Sequence, residues 1–275
     1  MRKRVGILFQ PKIQAAGNLA GELEKAVKDL GGSAWVCSAW DEEKAAEQVD
    51  GTDLVICLGG DGTMLRAARI VNQSSVPIMG VNLGRIGFMT ELSAEEALEQ
   101  VPALIEGEGW IEERVMLAAE LVSADTSPLY GLNDVLVARG ERCRLIRVRA
   151  SVDGEFVTTY KCDGVIVATA TGSTGYSLAA GGPILHPQAK EILLKPIAAH
   201  LSFSAAMILP SDSTVEMEVN TTHDARLSVD GQIEKPLVDG SIIRVKRSPH
   251  VTRLMRIKRT ALFYQTLMQR LEKRE

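Results

Sequence analysis

Three stretches stand in direct succession in this chain. An apolar run, Leu54-Val55-Ile56-Cys57-Leu58, leads into Gly59-Gly60-Asp61-Gly62-Thr63, and a helix-like stretch, Met64 to Ile70, follows. A short continuous apolar run bounded by glycines reads as a fully buried strand. A buried strand that turns through glycines into a helix places the turn at the carboxyl end of a parallel sheet, where open α/β folds bind their ligands. Glycines let a backbone approach a ligand closely because no Cβ intervenes. Amide groups at a helix start favour anions. Asp61 is out of place in a loop suited to phosphate unless it has a task of its own. A carboxylate aimed at a phosphate site can accept the proton of an attacking hydroxyl. The plainer reading is an Asp-Gly turn that binds nothing, and the position of the loop argues against it.

The alternation continues on both sides. Val5–Phe9, Trp35–Cys37 and Pro77–Val81 read as further strands. Apolar residues Leu19, Leu23, Val27 and Leu30 recur at helical spacing over 15–30, and Gly31-Gly32 ends that helix. A second helix is expected over 41–49. Ser93 with Glu96 forms a capping box for a helix reaching about Ile105, with Pro102 inside it. Strands separated by helices imply a parallel, Rossmann-like sheet.

After Trp110 the rhythm changes to strands. They are expected over 115–122, 134–138, 145–152, 155–160, 202–209, 214–219, 226–229 and 241–245, with Asp153-Gly154 as a type I′ hairpin turn. A final helix over 261–274 is expected to pack back on the first domain. The predicted organisation is an α/β domain over 1–112 carrying the glycine-rich loop, a β-sandwich domain over 113–250, and a returning segment over 251–275.

The 275 residues carry a net charge of −4, which argues against nucleic-acid binding through bulk charge. No apolar run reaches the roughly 18 residues of a membrane span, and a cytoplasmic protein is expected. Cys37, Cys57, Cys143 and Cys162 form no Cys-x-x-Cys pair, so reduced, mostly structural thiols are expected. The four histidines have no zinc-site spacing.

Two further motifs carry chemistry. In Asp163 to Pro183 a buried strand runs into a dense set of Gly, Ser and Thr with one tyrosine, Tyr176. Hydroxyls and bare backbone suit riboses, phosphates and base edges. A flexible linker would leave Tyr176, Leu178 and Ile184 exposed. Asn133-Asp134 interrupts an apolar segment at a strand start. Alone it reads as a turn or cap; beside the other two signals it is a candidate for hydrogen bonds to ribose or adenine. The P-loop, protein-kinase and Gly-x-Gly-x-x-Gly signatures are absent.

Leu58-Gly-Gly-Asp-Gly-Thr63, Asn82-Leu-Gly-Arg-Ile-Gly-Phe88, Asn133-Asp134 and the stretch from Asp163 to Pro187 follow one another in the order and approximate spacing of bacterial NAD kinases. The resemblance covers nearly the whole chain. The Gly-Gly-Asp-Gly-Thr element is shared with lipid kinases, whereas Thr171-Gly-Ser-Thr-Gly-Tyr-Ser177 with Gly181-Gly-Pro183 is far more specific.

The resemblance implies transfer of a phosphoryl group from ATP or polyphosphate, with Mg²⁺, to the 2′-hydroxyl of the adenosine ribose of NAD. Asp61 aligns with the family's catalytic base, and Gly59, Gly60, Gly62 and Thr63 with its phosphate loop. Dinucleotide contacts carry over to Asp61, Gly62, Arg66, Asn133, Asp134, Arg144, Lys161, Asp163 and Thr171. They continue through Thr174, Gly175, Tyr176, Ser177, Leu178 and Ala179, with Ala198 and Gln232 near the base and nicotinamide. The family usually has Asn-Glu where this chain has Asn133-Asp134, and Ala at Gly175. It usually has a proline before the histidine that here is His200. A homodimer or homotetramer is implied, because a neighbouring subunit usually completes the site. A kinase of a lipid hydroxyl, or a non-catalytic NAD-sensing protein, would keep part of this pattern.

Overall fold

The computed structural model describes residues 3–84, 87–122, 127–141, 144–200 and 203–258, with Tyr264, Leu267 and Met268. The chain divides into two compact units, residues 1–113 with 252–275, and residues 114–251.

The first unit is an α/β layer structure. Its elements are β1 (Arg4–Phe9), α1 (Gln14–Asp29), β2 (Ser33–Ser38), α2 (Glu42–Val49), β3 (Leu54–Gly59), α3 (Asp61–Ile70), β4 (Ile78–Asn82), β5 (Thr90–Ser93) and α4 (Ala94–Glu106). The sheet is parallel, with β2, β1, β3, β4 and β5 side by side. All six residues of β3 are buried, as a strand covered by helices on both faces requires. Leu19, Leu23 and Val27 of α1 pack with Val101 and Leu104 of α4 and with Ile7, Ile56 and Met79 of the sheet. Leu30, expected on that apolar stripe, lies past the last helical turn and is 51% exposed. Both hydrogen bonds of the Ser93–Glu96 capping box are present.

The second unit holds β6 (Trp110–Leu121) from Arg114 onward, β7 (Leu129–Gly131), β8 (Asp134–Arg139), β9 (Ile146–Val152), β10 (Glu155–Cys162) and β11 (Gly164–Ala168). These are followed by a short 3-10 turn (Gly172–Thr174), α5 (Tyr176–Ala179), β12 (Ile192–Ile197), β13 (Met207–Leu209), β14 (Val215–Asn220), β15 (Ala225–Val229), β16 (Ile233–Leu237) and the greater part of β17 (Ile242–Arg256). One antiparallel sheet runs β13-β12-β11-β8-β15-β16. In another, β9 lies between β10 and β14, and β14 pairs with β17. Val135, Val167 and Leu194 of the first sheet share one core with Val148, Met217 and Ile243 of the other. Asp153 and Gly154 both have positive φ (52° and 84°), the type I′ geometry expected of their turn.

Some expectations change. The strand expected over 202–209 is Met207–Leu209 only. Leu201 and Ser202 lie outside the described residues, and Phe203, which the alternating pattern would bury, is 53% exposed. The strand expected over 241–245 runs to Arg256, and its end belongs to the first unit, where Leu254 pairs in parallel with Ile78. The chain thus returns to the first unit as a strand. Most of the helix expected over 261–274 lies outside the described residues. Among the described residues no helix is long and apolar enough to cross a membrane. Cys37, Cys57 and Cys162 are buried free thiols; Cys143 lies outside the described residues.

Candidate active site

The glycine-rich turn sits at the carboxyl end of β3, and α3 begins at Asp61. Added Cβ atoms at Gly60 and Gly62 would meet nothing within 4 Å, so both leave backbone open to approach. Gly59 differs: a Cβ there would lie 2.3 Å from Thr63 Oγ1, so its glycine is needed by the turn itself.

Asp61 is gripped from outside its own helix. Its Oδ2 accepts the Phe88 amide at 2.7 Å and its Oδ1 the Met89 amide at 2.9 Å. Gly87 packs directly on the carboxylate, and a Cβ at 87 would lie 2.1 Å from Oδ1. The Met89 carbonyl in turn accepts Arg256 Nη1 at 3.0 Å. Arg256 is buried and paired with Glu91 (3.0 Å) and Glu112 (2.8 Å). Residues 87–91, Glu112 and Arg256, three separate segments of the first unit, therefore fix one carboxylate. Each oxygen keeps a lone pair beyond the one its amide uses.

Arg66 faces a different network. Its Nη1 donates to Glu42 Oε1 at 2.7 Å, and its guanidinium stacks 4.3 Å from the centroid of the Trp40 ring. Arg69 binds the same carboxylate, and the two cations hold the Glu42 carboxyl below its ordinary range against the opposing effect of burial. The Arg66 Nε is buried without a partner.

In the second unit Asn133 and Asp134 enter β8 at the centre of a hydrogen-bonded knot. The Thr169 amide donates to the Asn133 carbonyl at 2.9 Å, and Thr169 Oγ1 donates to the Leu132 carbonyl at 2.6 Å. The Gly172 amide donates back to Thr169 Oγ1 at 3.1 Å. A Cβ at Gly172 would lie 2.0 Å from the Asn133 carbonyl oxygen, so only glycine fits there. Thr171 Oγ1 accepts Arg114 Nη1 at 3.2 Å. The Asn133 Oδ1 and Ser177 Oγ atoms are buried without protein partners. Buried polar atoms of this kind are rare in native interiors and call for an explanation, a bound ligand among them. Burial, and then the charge of Asp230, raises the Asp134 carboxyl to about 7.

Asn133, Asp134 and Thr171–Gly175 thus converge, and Gln232 lies in the turn after Asp230. Gly175 would accept the family's usual alanine, whose Cβ would stand 3.3 Å from the Gly172 carbonyl and 3.7 Å from Asn133 Nδ2. Tyr176 is 48% exposed beside them. Ala198, just after β12, holds a positive φ of 46°, a strained value for a residue with a Cβ. Asp163 is paired with Arg139 at 2.6 Å. Arg144 and Lys161 line a separate cleft of about 680 Å³ with Arg147, Thr221, His223 and Asp239. Sequence reasoning missed Thr169, Arg114, Asp230 and Arg256. Thr169 lies within the flagged Asp163–Pro183 stretch, and Asp230 had a weaker signal, an Asp-Gly turn before Gln232, which reads as a plain hairpin.

Residues 5–109 match the ATP-NAD kinase N-terminal domain, and residues 132–257 match the ATP-NAD kinase C-terminal domain. The chain belongs to the NAD kinase family. Its reaction is that of the family, phosphorylation of NAD to NADP. An NAD kinase of Dehalococcoides mccartyi (strain CBDB1) is 44% identical over 270 residues, covering 97% of this chain and 95% of that protein. One from Chloroflexus aurantiacus (strain J-10-fl) is 38% identical over 275 residues, covering 99% and 100%. Two solved structures share the architecture at 25% identity. Yeast NADH kinase complexed with NADH has a TM-score of 0.85 and covers 100% of this chain and 89% of its own. An Archaeoglobus fulgidus NAD kinase in complex with ATP has a TM-score of 0.77 and covers 98% of each chain. Membership of the NAD kinase family decides against the lipid-kinase and sensor readings.

Proposed function

We propose that Asp61 is the general base of this NAD kinase. In this reading it accepts the proton of the adenosine ribose 2′-hydroxyl as that oxygen attacks the terminal phosphorus of ATP or of a polyphosphate. The observation that carries this is the orientation of Asp61: one carboxylate, at the start of α3, held by two backbone amides beside open glycines. A base fixed in this way needs little reorganisation as the proton moves. The donor's phosphates are read to lie against the backbone of the Gly59–Thr63 turn, where Gly60 and Gly62 present no side chain. Asn133, Asp134 and the Thr171–Ala179 segment hold the dinucleotide, with Arg66, Arg144, Lys161, Asp163, Ala198 and Gln232 as further contacts.

Among the described residues no group of three or more His, Cys, Asp or Glu side chains could hold a metal ion. We read a Mg²⁺ ion here as a companion of the donor's phosphate oxygens. When bound, such an ion neutralises charge on the transferred group.

The purified protein is expected to convert NAD to NADP with ATP and Mg²⁺. A parallel reaction with polyphosphate identifies the donor, and no NADP with either would refute the reading. The protein is read as a cytoplasmic homodimer or homotetramer whose neighbour completes the pocket. Light scattering across a dilution series, read alongside activity, tests the assembly; a fully active monomer would overturn it.

A further inference from the structure

One carboxylate in the second unit accepts three backbone amides of a turn it does not belong to. Asp230 Oδ2 accepts the Leu132 amide at 2.8 Å, and Oδ1 accepts the amides of Asn133 at 2.7 Å and Asp134 at 3.0 Å. The Asp230 amide donates in return to the Asp134 carbonyl at 3.0 Å. Three consecutive N–H groups pointing at one anion form the concave arrangement that binds phosphate elsewhere. Here a side chain from about a hundred residues downstream fills it. These amides are therefore closed to a ligand's phosphate.

Closing them has a consequence for Asn133. Its N–H is held by Asp230 and its carbonyl by Thr169, so the backbone has no freedom left. Gly131 and Gly172 press on the turn from either side; a Cβ on Gly131 would lie 2.7 Å from Val229 Cγ1 and 3.1 Å from Asp230 Oδ1. What remains without a hydrogen-bond partner is the side-chain oxygen of Asn133, which is buried. A buried acceptor of this kind suits a ribose hydroxyl or an exocyclic amine, both donors, and not an anion.

Asp230 achieves this from an unfavourable backbone. Its φ of 53° lies in the left-handed region, which Asp and Asn tolerate better than other residues with a Cβ. It also sets a negative charge near the buried Asp134. A turn needed only to connect β15 to β16 would be better served by a residue without that charge.

We propose that Asp230 is a positioning residue for NAD recognition, occupying the amides of residues 132–134 so that the side chains of Asn133 and Asp134 face the ligand's donors. This rests on the reading of Asn133 and Asp134 as dinucleotide contacts. The test uses Asp230→Ala, Asp230→Asn, Asn133→Ala and Asp134→Ala in the full-length protein. NAD affinity is measured by titration calorimetry, KM for NAD and for the phosphoryl donor by kinetics, and folding by circular dichroism. Asp230→Asn keeps the left-handed preference and one acceptor oxygen, so it remains informative where Asp230→Ala fails to fold. Removing charge-assisted bonds should weaken NAD binding at least about tenfold in Asp230→Ala and less in Asp230→Asn. KM for the donor should stay within about twofold, a split that general destabilisation would not produce. If folded Asp230 variants bind NAD as wild type while Asn133→Ala and Asp134→Ala are weakened, the positioning role is wrong and the contact assignment stands. If Asn133→Ala and Asp134→Ala also bind NAD normally, both are overturned.

Discussion

The Asp61 turn and the Asn133-Asp134 turn make an instructive pair. Both present a short polar sequence at the end of an apolar segment, and both are anchored by atoms from outside. At Asp61 the group we assign to the chemistry is an anion, held by backbone amides from residues 88 and 89. At Asn133-Asp134 the groups we assign to the ligand are side chains, and an anion, Asp230, holds the backbone beneath them. The same interaction, amide to carboxylate, is used with its roles exchanged. The difference teaches which atom is left over for chemistry. In the first turn spare lone pairs of a carboxylate remain, and in the second a buried amide oxygen does.

The largest effect is expected of Asp61→Asn, which keeps the side chain's size, removes the base and gives up one of the two amide bonds. Turnover should fall by about 10²–10⁴ with NAD still bound; turnover near wild type would leave Asp61 as a structural turn residue like its neighbours. Gly87→Ala comes next. Its Cβ would stand 2.1 Å from the carboxylate, so Asp61 must shift. A displacement near 1 Å can cost about 10² in turnover, with little change in NAD affinity if the two turns act independently. A parallel loss of NAD affinity would show that they do not.

The smallest effect concerns pH, and only the second turn should show it. The Asp134 carboxyl is raised from 3.8 to about 7, chiefly by burial. The folded protein therefore binds this proton more tightly than the unfolded chain does. Stability from this group is fully present below the unfolded pKa and declines as pH rises through the folded one, between about 4 and 7. Melting temperature without ligand should fall across that window, and the Asp134→Asn variant should lose part of the slope. An unchanged slope in the variant would assign the dependence to other groups. NAD should oppose the fall, since donors on the ligand favour the ionised carboxylate.

Some elements were missed for reasons the sheet explains. Pro196 and Pro236 argue against strands, yet β12 and β16 contain them. β16 is an edge strand, and β13 covers only residues 192–194 of β12, so neither proline interrupts a two-sided ladder. Which stretch of backbone needs no partner is a property of the assembled sheet. Of the strand expected over 202–209, Met207–Leu209 forms, and alternation alone does not bury Phe203.

Features that depend on neighbours along the chain are legible in the residues alone. The buried β3, the helical stripe of α1, the capping box at Ser93 and the Asp153-Gly154 hairpin follow from periodicity and backbone preference within a few residues. The ordered motifs also determined the family, because their residue types and spacing are specific. What holds the motifs in place comes from contacts between distant segments. Arg256 supports the segment that grips Asp61, and Asp230 locks the turn beside Asn133. A hydrogen bond depends on two groups meeting within about 3 Å at a suitable angle. Over separations of about a hundred residues or more, that meeting is set by strand order and register, which no local spacing records.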